Sequence, residues 1–195
     1  TTLQVELLTL PGAPIGPENP LPQFRDPRAD MAVPADPSLS LEQRAHLGWQ
    51  AGFRALPYRM QDTYTRARAP MQLRTIVLAN RFLRATFAPE LGGRLLSLVY
   101  LPGDRELLFR NPVFQPANLA IRNAWFAGGI EWNCGQYGHA TSTCAPVFAA
   151  AIAGPQGEPG LRLYDFARTK GLLWQLDCYL PPDSPVLIAH ARVLN

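Results

Sequence analysis

The sequence has few cysteines, and their spacing suits neither disulfide bonds nor a metal. Three occur in 195 residues, at positions 134, 144 and 178, and no C-x-x-C pair is present. A chain of this size does not need disulfides to stabilise its core. Cys134, His139 and Cys144 follow a C-x4-H-x4-C spacing, but structural zinc usually takes four ligands in tighter pairs. We therefore predict free thiols, a reducing cytoplasmic environment and no metal site.

Long apolar runs and lysine are also lacking. No apolar run approaches the roughly 18 residues that span a bilayer, and the N-terminal stretch TTLQVELLTLPG lacks the basic region of a secretion signal. The chain begins at Thr1 rather than methionine, so we interpret it as an excised segment. Of its 18 basic residues only Lys170 is a lysine, and the aromatic and basic platform of a nucleic-acid site is missing. We predict neither a membrane nor a nucleic-acid partner.

What is present indicates one folded domain with an N-terminal arm. The hydrophobic fraction is 47% and the charged fraction 17%, which is typical of a folded chain. Eight of the 20 prolines fall within residues 1–40, which predicts an extended arm with one strand over 5–10. The arm carries Leu21, Phe24 and Met31, so we expect it to pack on a body formed by residues 41–195.

The body shows a capping box and then a period of two. Ser40 and Gln43 predict one short helix that ends near Gly48 and contains His46, which has no expected chemical role. From Leu73 onward, short alternating apolar runs are separated by turn residues, as in GLLWQLDCYL at 171–180. We predict an all-β fold, an antiparallel β-sandwich with a proline-rich arm and one short helix.

The strand rhythm stops between Phe109 and Pro146, and this interruption contains GGIEWNCGQYGH at 128–139. A connection longer than 30 residues is unusual in a compact domain unless it serves a site. Its glycines allow close backbone approach, and Glu131 and His139 could act as a general base and acid. The alternative is that Glu131 is a structural carboxylate paired with an arginine such as Arg122.

Other polar and aromatic side chains surround this pair in the sequence. Asn133 and Gln136 supply amides that could converge on a ligand, and Trp125, Trp132 and Tyr137 could form a platform for the apolar face of a sugar. The alternative for the aromatic residues, including Trp125 and Tyr137, is a place in the core. Phosphate-cradling loops, H-E-x-x-H, G-x-S-x-G and paired carboxylates are all absent from the sequence, so no cofactor is predicted.

Three segments resemble a known family: NRFLRATFAPELGGRL at 80–95, ELLFRNPVFQPANLAIRNAW at 106–125 and GGIEWN at 128–133. They are similar to an uncharacterised bacterial domain family of the galactose-mutarotase-like superfamily, which commonly precedes tetratricopeptide repeats. The resemblance implies about the first half of a β-supersandwich, a carbohydrate ligand and tetratricopeptide repeats C-terminal to the domain in the full-length chain. By the match at RNPVFQPANLAIRN it also implies that Arg122 and Asn123 contact the sugar.

Two functions remain open from the sequence. The first is a carbohydrate-binding domain, with epimerase-like or glycosidase-like proton transfer at the anomeric centre if it is catalytic. Glu131 and His139 would then be the acid–base pair, with Arg122, Asn123, Trp132, Asn133 and Gln136 around the sugar. The second is a non-catalytic interaction module that supports a neighbouring tetratricopeptide-repeat domain. An open cleft at Glu131 and His139 favours the first function, and burial and pairing of both favour the second.

Overall fold

The computed structural model describes residues 1–24, 35–45, 55–134 and 139–194, and the regular structure in this part of the chain is mostly antiparallel β-sheet. The prediction of an all-β fold is confirmed. The strands are β1 (Thr2–Gly12), β2 (Pro22–Phe24), β3 (Ala55–Arg59), β4 (Ala69–Ala79), β5 (Leu83–Ala88), β6 (Arg94–Tyr100), β7 (Arg105–Glu106), β8 (Ala117–Ala120), β9 (Asn123–Trp125), β10 (Phe148–Ala153), β11 (Pro159–Ala167), β12 (Leu172–Tyr179) and β13 (Ile188–Leu194).

One α-helix, α1 (Leu41–Ala45), is present among the described residues. It begins with the predicted capping box, because the Ser40 N–H donates to Gln43 Oε1 at 2.9 Å and the Gln43 N–H donates to Ser40 Oγ at 3.1 Å. The predicted end near Gly48 and the residue His46 lie outside the described residues. In the described part of the chain, every helix is too short to cross a membrane.

Two sheets pack face to face around the main core. Strands β1-β4-β5-β6-β7 form a five-stranded sheet, and β10-β11-β12-β13 form a four-stranded sheet. Leu78, Phe87 and Leu95 of the first sheet share one buried cluster with Leu163 and Trp174 of the second. β12 shows the alternation that its sequence predicts, since its even-numbered residues from 174 to 178 are buried in this core.

The interruption between β7 and β10 covers the opposite face of the five-stranded sheet. Phe114 and Phe126 from this segment form a second buried cluster with Leu73 of β4 and with Leu91, which lies between β5 and β6. An apolar cavity of about 360 Å³ lies between the segment and β1 and β4. The five-stranded sheet is therefore covered over part of both faces, and the long connection contributes to the core as well as to a site.

The N-terminal arm contributes a full strand to the body. β1 pairs with β4 along its whole length, from Thr2 opposite Ala79 to Gly12 opposite Ala69, and so extends beyond the predicted 5–10. Beyond β1, Ala13 is fully buried and its N–H donates to Phe114 O at 2.9 Å. Leu21 and Phe24, whose packing we expected, are exposed at 60% and 70%, and Met31 lies outside the described residues.

The three cysteines are free thiols in separate parts of the fold, as their spacing predicts. Burial raises the pKa of the Cys144 and Cys178 thiols to about 12. Both thiols therefore stay protonated at neutral pH and act as small apolar groups in the two cores. Among the described residues, no group of three histidine, cysteine or acidic side chains is placed to hold a metal ion.

A bonded charge cluster lies on the outer face of the four-stranded sheet. Asp177 is 8% exposed and accepts hydrogen bonds from Arg162 Nε at 2.6 Å and Arg162 Nη2 at 2.7 Å, while Arg192 Nη2 lies 3.3 Å away. The hydrogen bonds from Arg162 lower the pKa of the Asp177 carboxyl. Because Arg162, Asp177 and Arg192 lie on three adjacent strands, the cluster ties β11, β12 and β13 together.

Replacing Asp177 with Asn should cost about 1–3 kcal/mol of unfolding free energy near neutral pH, because it removes a charged and bidentate acceptor. The folded pKa lies below the unfolded one. The stabilisation is therefore present above the unfolded value, which is about 3.9, and is lost as the pH falls through the folded value. Urea unfolding near neutral pH and near pH 3 should show the difference between the wild type and Asp177→Asn shrinking in acid.

Asp183→Asn is the matched control, because Asp183 pairs with Arg81 at 3.3 Å while 84% exposed. Such an exposed pair contributes about 1 kcal/mol or less. Equal costs for the two substitutions would mean that the Asp177 cluster contributes no more to stability than an exposed ion pair.

Candidate functional site

Two double-glycine segments meet at the centre of the interruption. Gly92 and Gly93 precede Arg94 in β6, and Gly128 and Gly129 precede Ile130. Leu95 and Ile130 form an antiparallel bridge, in which the Leu95 N–H donates to Ile130 O at 3.1 Å and the Ile130 N–H donates to Leu95 O at 2.9 Å. In this register the residue before Leu95 lies opposite the residue after Ile130. The bridge therefore sets Arg94 beside Glu131.

Gly129 permits that bridge. Its φ is +69°, and a Cβ atom on it would lie 2.2 Å from the Leu95 carbonyl oxygen. No other residue could bring the backbone this close without moving β6. A β-bulge lies on the side of β6 that pairs with β5. Phe87 pairs with Leu95 and Thr86 pairs with Ser97, so Leu96 is the extra residue. Such a bulge bends the strand and changes the direction of the side chains at this end of β6.

Arg94 is a fully buried cation that holds several loops together. It is 2% exposed, and its guanidinium donates to Phe126 O at 2.7 Å, to Gly128 O at 3.0 Å and to Thr143 Oγ1 at 2.9 Å. Its Cζ also lies 3.8 Å from the centre of the Phe126 ring. Burial lowers the pKa of this guanidinium, yet arginine keeps its charge in proteins. A buried charge of this kind requires a counter-ion.

Glu131 is that counter-ion, and one of its oxygens lies close to three nitrogen atoms. Oε2 lies 3.2 Å from Arg94 Nη2, 2.9 Å from Trp125 Nε1 and 2.9 Å from His139 Nδ1. The other oxygen, Oε1, is buried and has no hydrogen-bond partner among the described residues. The Glu131 side chain is only 13% exposed. The carboxylate is thus a largely buried group that pairs with Arg94 and contacts the more exposed His139.

His139 is the exposed member of this cluster, with 32% of its side chain open to solvent. Because a carboxylate only accepts hydrogen bonds, Nδ1 carries the hydrogen that lies between His139 and Glu131. Nε2 has no hydrogen-bond partner within the described ranges and so can exchange a proton with solvent or a ligand. The His139 ring also lies 5.1 Å from the Trp125 ring, between centroids.

Two other predicted residues support the loop around this pair. The Ala140 N–H donates to Asn133 Oδ1 at 2.7 Å, which ties residue 133 to residue 140 next to His139. Trp132 Nε1 donates to Gly93 O at 2.9 Å, and its ring packs against the main core. Glu131, Trp132 and Asn133 line a cleft of about 150 Å³ that extends to β12 and β13. Gln136 lies outside the described residues.

Arg122 and Asn123 lie apart from the Glu131 cluster. Arg122 Nε donates to Arg59 O at 2.9 Å, Nη1 donates to Thr141 O at 3.2 Å and Nη2 pairs with the carboxylate of Glu18. The arginine partner of Glu131 is therefore Arg94 and not Arg122. Asn123 has a φ of 75° at the turn between β8 and β9, a left-handed conformation that asparagine tolerates.

The sequence argument did not single out Arg94 or Thr143 as parts of this site, and it considered Trp125 as a sugar platform or core residue but not as a hydrogen-bond donor to Glu131. One signal was available, since Arg94 stands in the apolar run GGRLLSL, where a charged side chain is unexpected. The partners of that arginine could not be read from the sequence, because Phe126, Gly128 and Thr143 are between 32 and 49 residues away.

A family model described as a domain of unknown function (DUF5107) matches residues 51–193. The crystal structure of a TPR-domain containing protein from Parabacteroides distasonis ATCC 8503 has a similar fold, with a TM-score of 0.73 and 19% sequence identity. The likeness covers 97% of this chain and 28% of that protein, so the chain spans little more than a quarter of that protein's length. At this identity the likeness shows the fold alone.

Replacing Gly129 with Ala should disrupt the Leu95–Ile130 bridge and lower the free energy of unfolding. Gly157→Ala is the matched control, because Gly157 also has a positive φ, +80°, but no atom lies within 4 Å of an added Cβ. The control should lose about 1–2 kcal/mol from backbone strain alone. Gly129→Ala should lose about 1–3 kcal/mol more from the steric overlap. Urea unfolding of both variants measures these losses, and equal losses would contradict a steric cost specific to Gly129.

Replacing Glu131 with Gln should destabilise the protein by about 3–5 kcal/mol, because it leaves the buried Arg94 charge without a counter-ion. Glu6→Gln is the control, since Glu6 pairs with Arg84 at 2.6 Å with both side chains more than a third exposed, and should cost about 1 kcal/mol or less. The double variant Arg94→Met, Glu131→Gln should cost less than the sum of its single changes in urea unfolding. Full additivity would show that the two charges do not interact.

Proposed function

The chain belongs to the DUF5107 family of domains of unknown function, and we propose that it is a carbohydrate-binding domain in which His139 transfers protons at a sugar hydroxyl or anomeric centre. The observation that carries this proposal is the hydrogen bond between His139 Nδ1 and the buried carboxylate of Glu131. A carboxylate behind a histidine sets its ring orientation and tautomer. The second ring nitrogen is then available for acid–base chemistry.

In this proposal Glu131 is a positioning residue and His139 is the group that meets the ligand. The Glu131 side chain is 13% exposed, forms an ion pair with Arg94 and accepts a hydrogen bond from Trp125, so its carboxylate acts through the histidine. If the domain is catalytic, this arrangement suits epimerase-like proton transfer at an anomeric centre. Ordinary glycoside hydrolysis needs a second carboxylate, and the described residues around His139 do not supply one.

The carbohydrate ligand is supported by the residues around His139 and by the resemblance to the galactose-mutarotase-like superfamily. Trp125 presents an aromatic ring beside the histidine, and aromatic rings pack well on the apolar face of a sugar. Asn133 contributes through the loop that it closes with Ala140. Arg122 and Asn123, the sugar contacts implied by the resemblance, belong to a different surface and are not assigned to this site.

A non-catalytic interaction module is the second candidate. It is supported by exposed apolar side chains at the end of the four-stranded sheet, since Val193 is 54% exposed, Leu194 is 51% exposed and Leu173 is 37% exposed. The similar fold in a TPR-domain containing protein suggests tetratricopeptide repeats as the neighbouring unit. In this function the buried pair of Arg94 and Glu131 would be structural.

A thermal-shift screen of the full-length protein against a panel of neutral mono- and oligosaccharides distinguishes the two functions. We expect a sugar to raise the melting temperature of the wild type, and His139→Asn to abolish that response with little change in the unliganded melting temperature. His190→Asn is the control, because His190 is an exposed histidine on β13. If the bound sugar is also epimerised, polarimetry should show a rate at least about a hundredfold lower in His139→Asn.

A sugar response that survives His139→Asn would show that this site does not bind the ligand. No response to any sugar in the panel would favour the interaction module.

A further inference from the structure

A second and larger cleft, of about 580 Å³, lies away from the Glu131 cluster. It opens between the ribbon of β2 and β3 and the ends of β10 and β11. Its volume lies within the range of about 300–1,000 Å³ that is typical of small-molecule sites. Arg122 lines this cleft, and the Glu131 and His139 side chains do not.

Aromatic rings stand at the wall of this cleft and remain exposed. Phe148 is 61% exposed and stacks on Tyr164 of the neighbouring strand, with ring centroids 5.3 Å apart. Phe166 is 49% exposed, and Tyr58 is held by a hydrogen bond from the Arg168 N–H to its hydroxyl at 2.9 Å. Large apolar rings kept open to solvent beside a cleft are typical of a ligand surface.

A buried cation forms the polar end of the cleft. Arg122 is 5% exposed, and its guanidinium is held in place by the carbonyl oxygens of Arg59 and Thr141. Three of its five N–H groups therefore donate hydrogen bonds, two to these carbonyl oxygens and the third to the carboxylate of Glu18. Glu18 is 46% exposed, so a half-open carboxylate from the arm occupies the position that the carboxylate of a ligand would take.

The charges around the cleft favour an anion. The cleft is lined by three arginines and two acidic residues, which gives it one excess positive charge: Arg59, Arg122, Arg168, Glu18 and Asp165. Within the described residues, Arg59 and Arg168 form no ion pair, and the Arg168 guanidinium lies 5.1 Å from the Tyr58 ring centre. A carboxylate on Arg122 could accept two parallel N–H bonds, the geometry in which arginine binds carboxylates most strongly.

We propose that the Arg122 cleft is a binding site for a small carboxylate whose attached ring packs on Phe148, Phe166 or Tyr58. Glu18 covers Arg122 when this ligand is absent. A uronic acid and an aromatic carboxylate both have this chemistry. The site is separate from the His139 cluster, so it does not depend on the proposed function.

Isothermal titration calorimetry of the full-length protein tests this with glucuronate and phenylacetate, each beside a neutral counterpart, glucose and phenylacetamide. We expect one carboxylate to bind while its neutral counterpart does not, and the carboxylate that binds identifies the source of the ligand. Arg168→Gln should weaken its affinity about threefold to tenfold, because one rim charge is lost. The exposed Arg105→Gln, on β7, is the matched control and should leave the affinity unchanged.

Glu18→Gln tests the proposal most directly, because it removes the protein's own carboxylate that competes with the ligand for Arg122. It should raise the affinity for the carboxylate about threefold or more, whereas Glu6→Gln, at the exposed pair with Arg84, should have no effect. A purely structural Glu18–Arg122 pair would instead give no gain in binding by Glu18→Gln. That result, or the absence of binding by both carboxylates, would overturn the proposal.

His139→Asn should leave this binding intact. Loss of carboxylate binding in His139→Asn would mean that the two clefts form one site and would also overturn the proposal. A negative result in the neutral-sugar screen would not contradict the carboxylate site, so the two proposals can be refuted separately.

Discussion

The buried pair of Arg94 and Glu131 is the interaction on which the site depends. An arginine that is 2% exposed has lost nearly all its water, and hydrogen-bond acceptors and a counter-ion are needed to offset that loss. Arg94 obtains acceptors from Phe126, Gly128 and Thr143 and a counter-ion from Glu131, while its Nε has no partner among the described residues. These acceptors belong to different parts of the long interruption, so this one side chain fixes the path of a segment that has little regular structure of its own.

A second buried arginine holds the same segment from another position. Arg122 binds Thr141 O, Arg94 binds Thr143 Oγ1, and Gln61 Nε2 binds Cys144 O at 2.9 Å. The stretch 139–144 is thereby fixed along most of its length. His139 stands at its start, so the orientation of the histidine depends on contacts made by both arginines.

Much of the fold could be predicted from local pattern. Period-two runs are enough to identify strands such as β12, and the capping box at Ser40 is enough to place the start of α1. The pairing of Glu131 with His139 was also accessible, since both residues belong to one glycine-rich loop. Arg122 was a poor guide to that site because its partners, Glu18 and Arg59, come from the arm and from β3.

By itself, the sequence determined the all-β class, the strand faces, the free thiols and the loop that carries Glu131 and His139. These features depend on neighbouring residues, whose alternation and turn chemistry act over a few positions. Only the tertiary structure decided which arginine pairs with Glu131 and which cleft Arg122 lines. Those choices depend on the Leu95–Ile130 bridge and on the path of the arm, and a contact between distant segments is set by the packing of the whole chain rather than by local propensity.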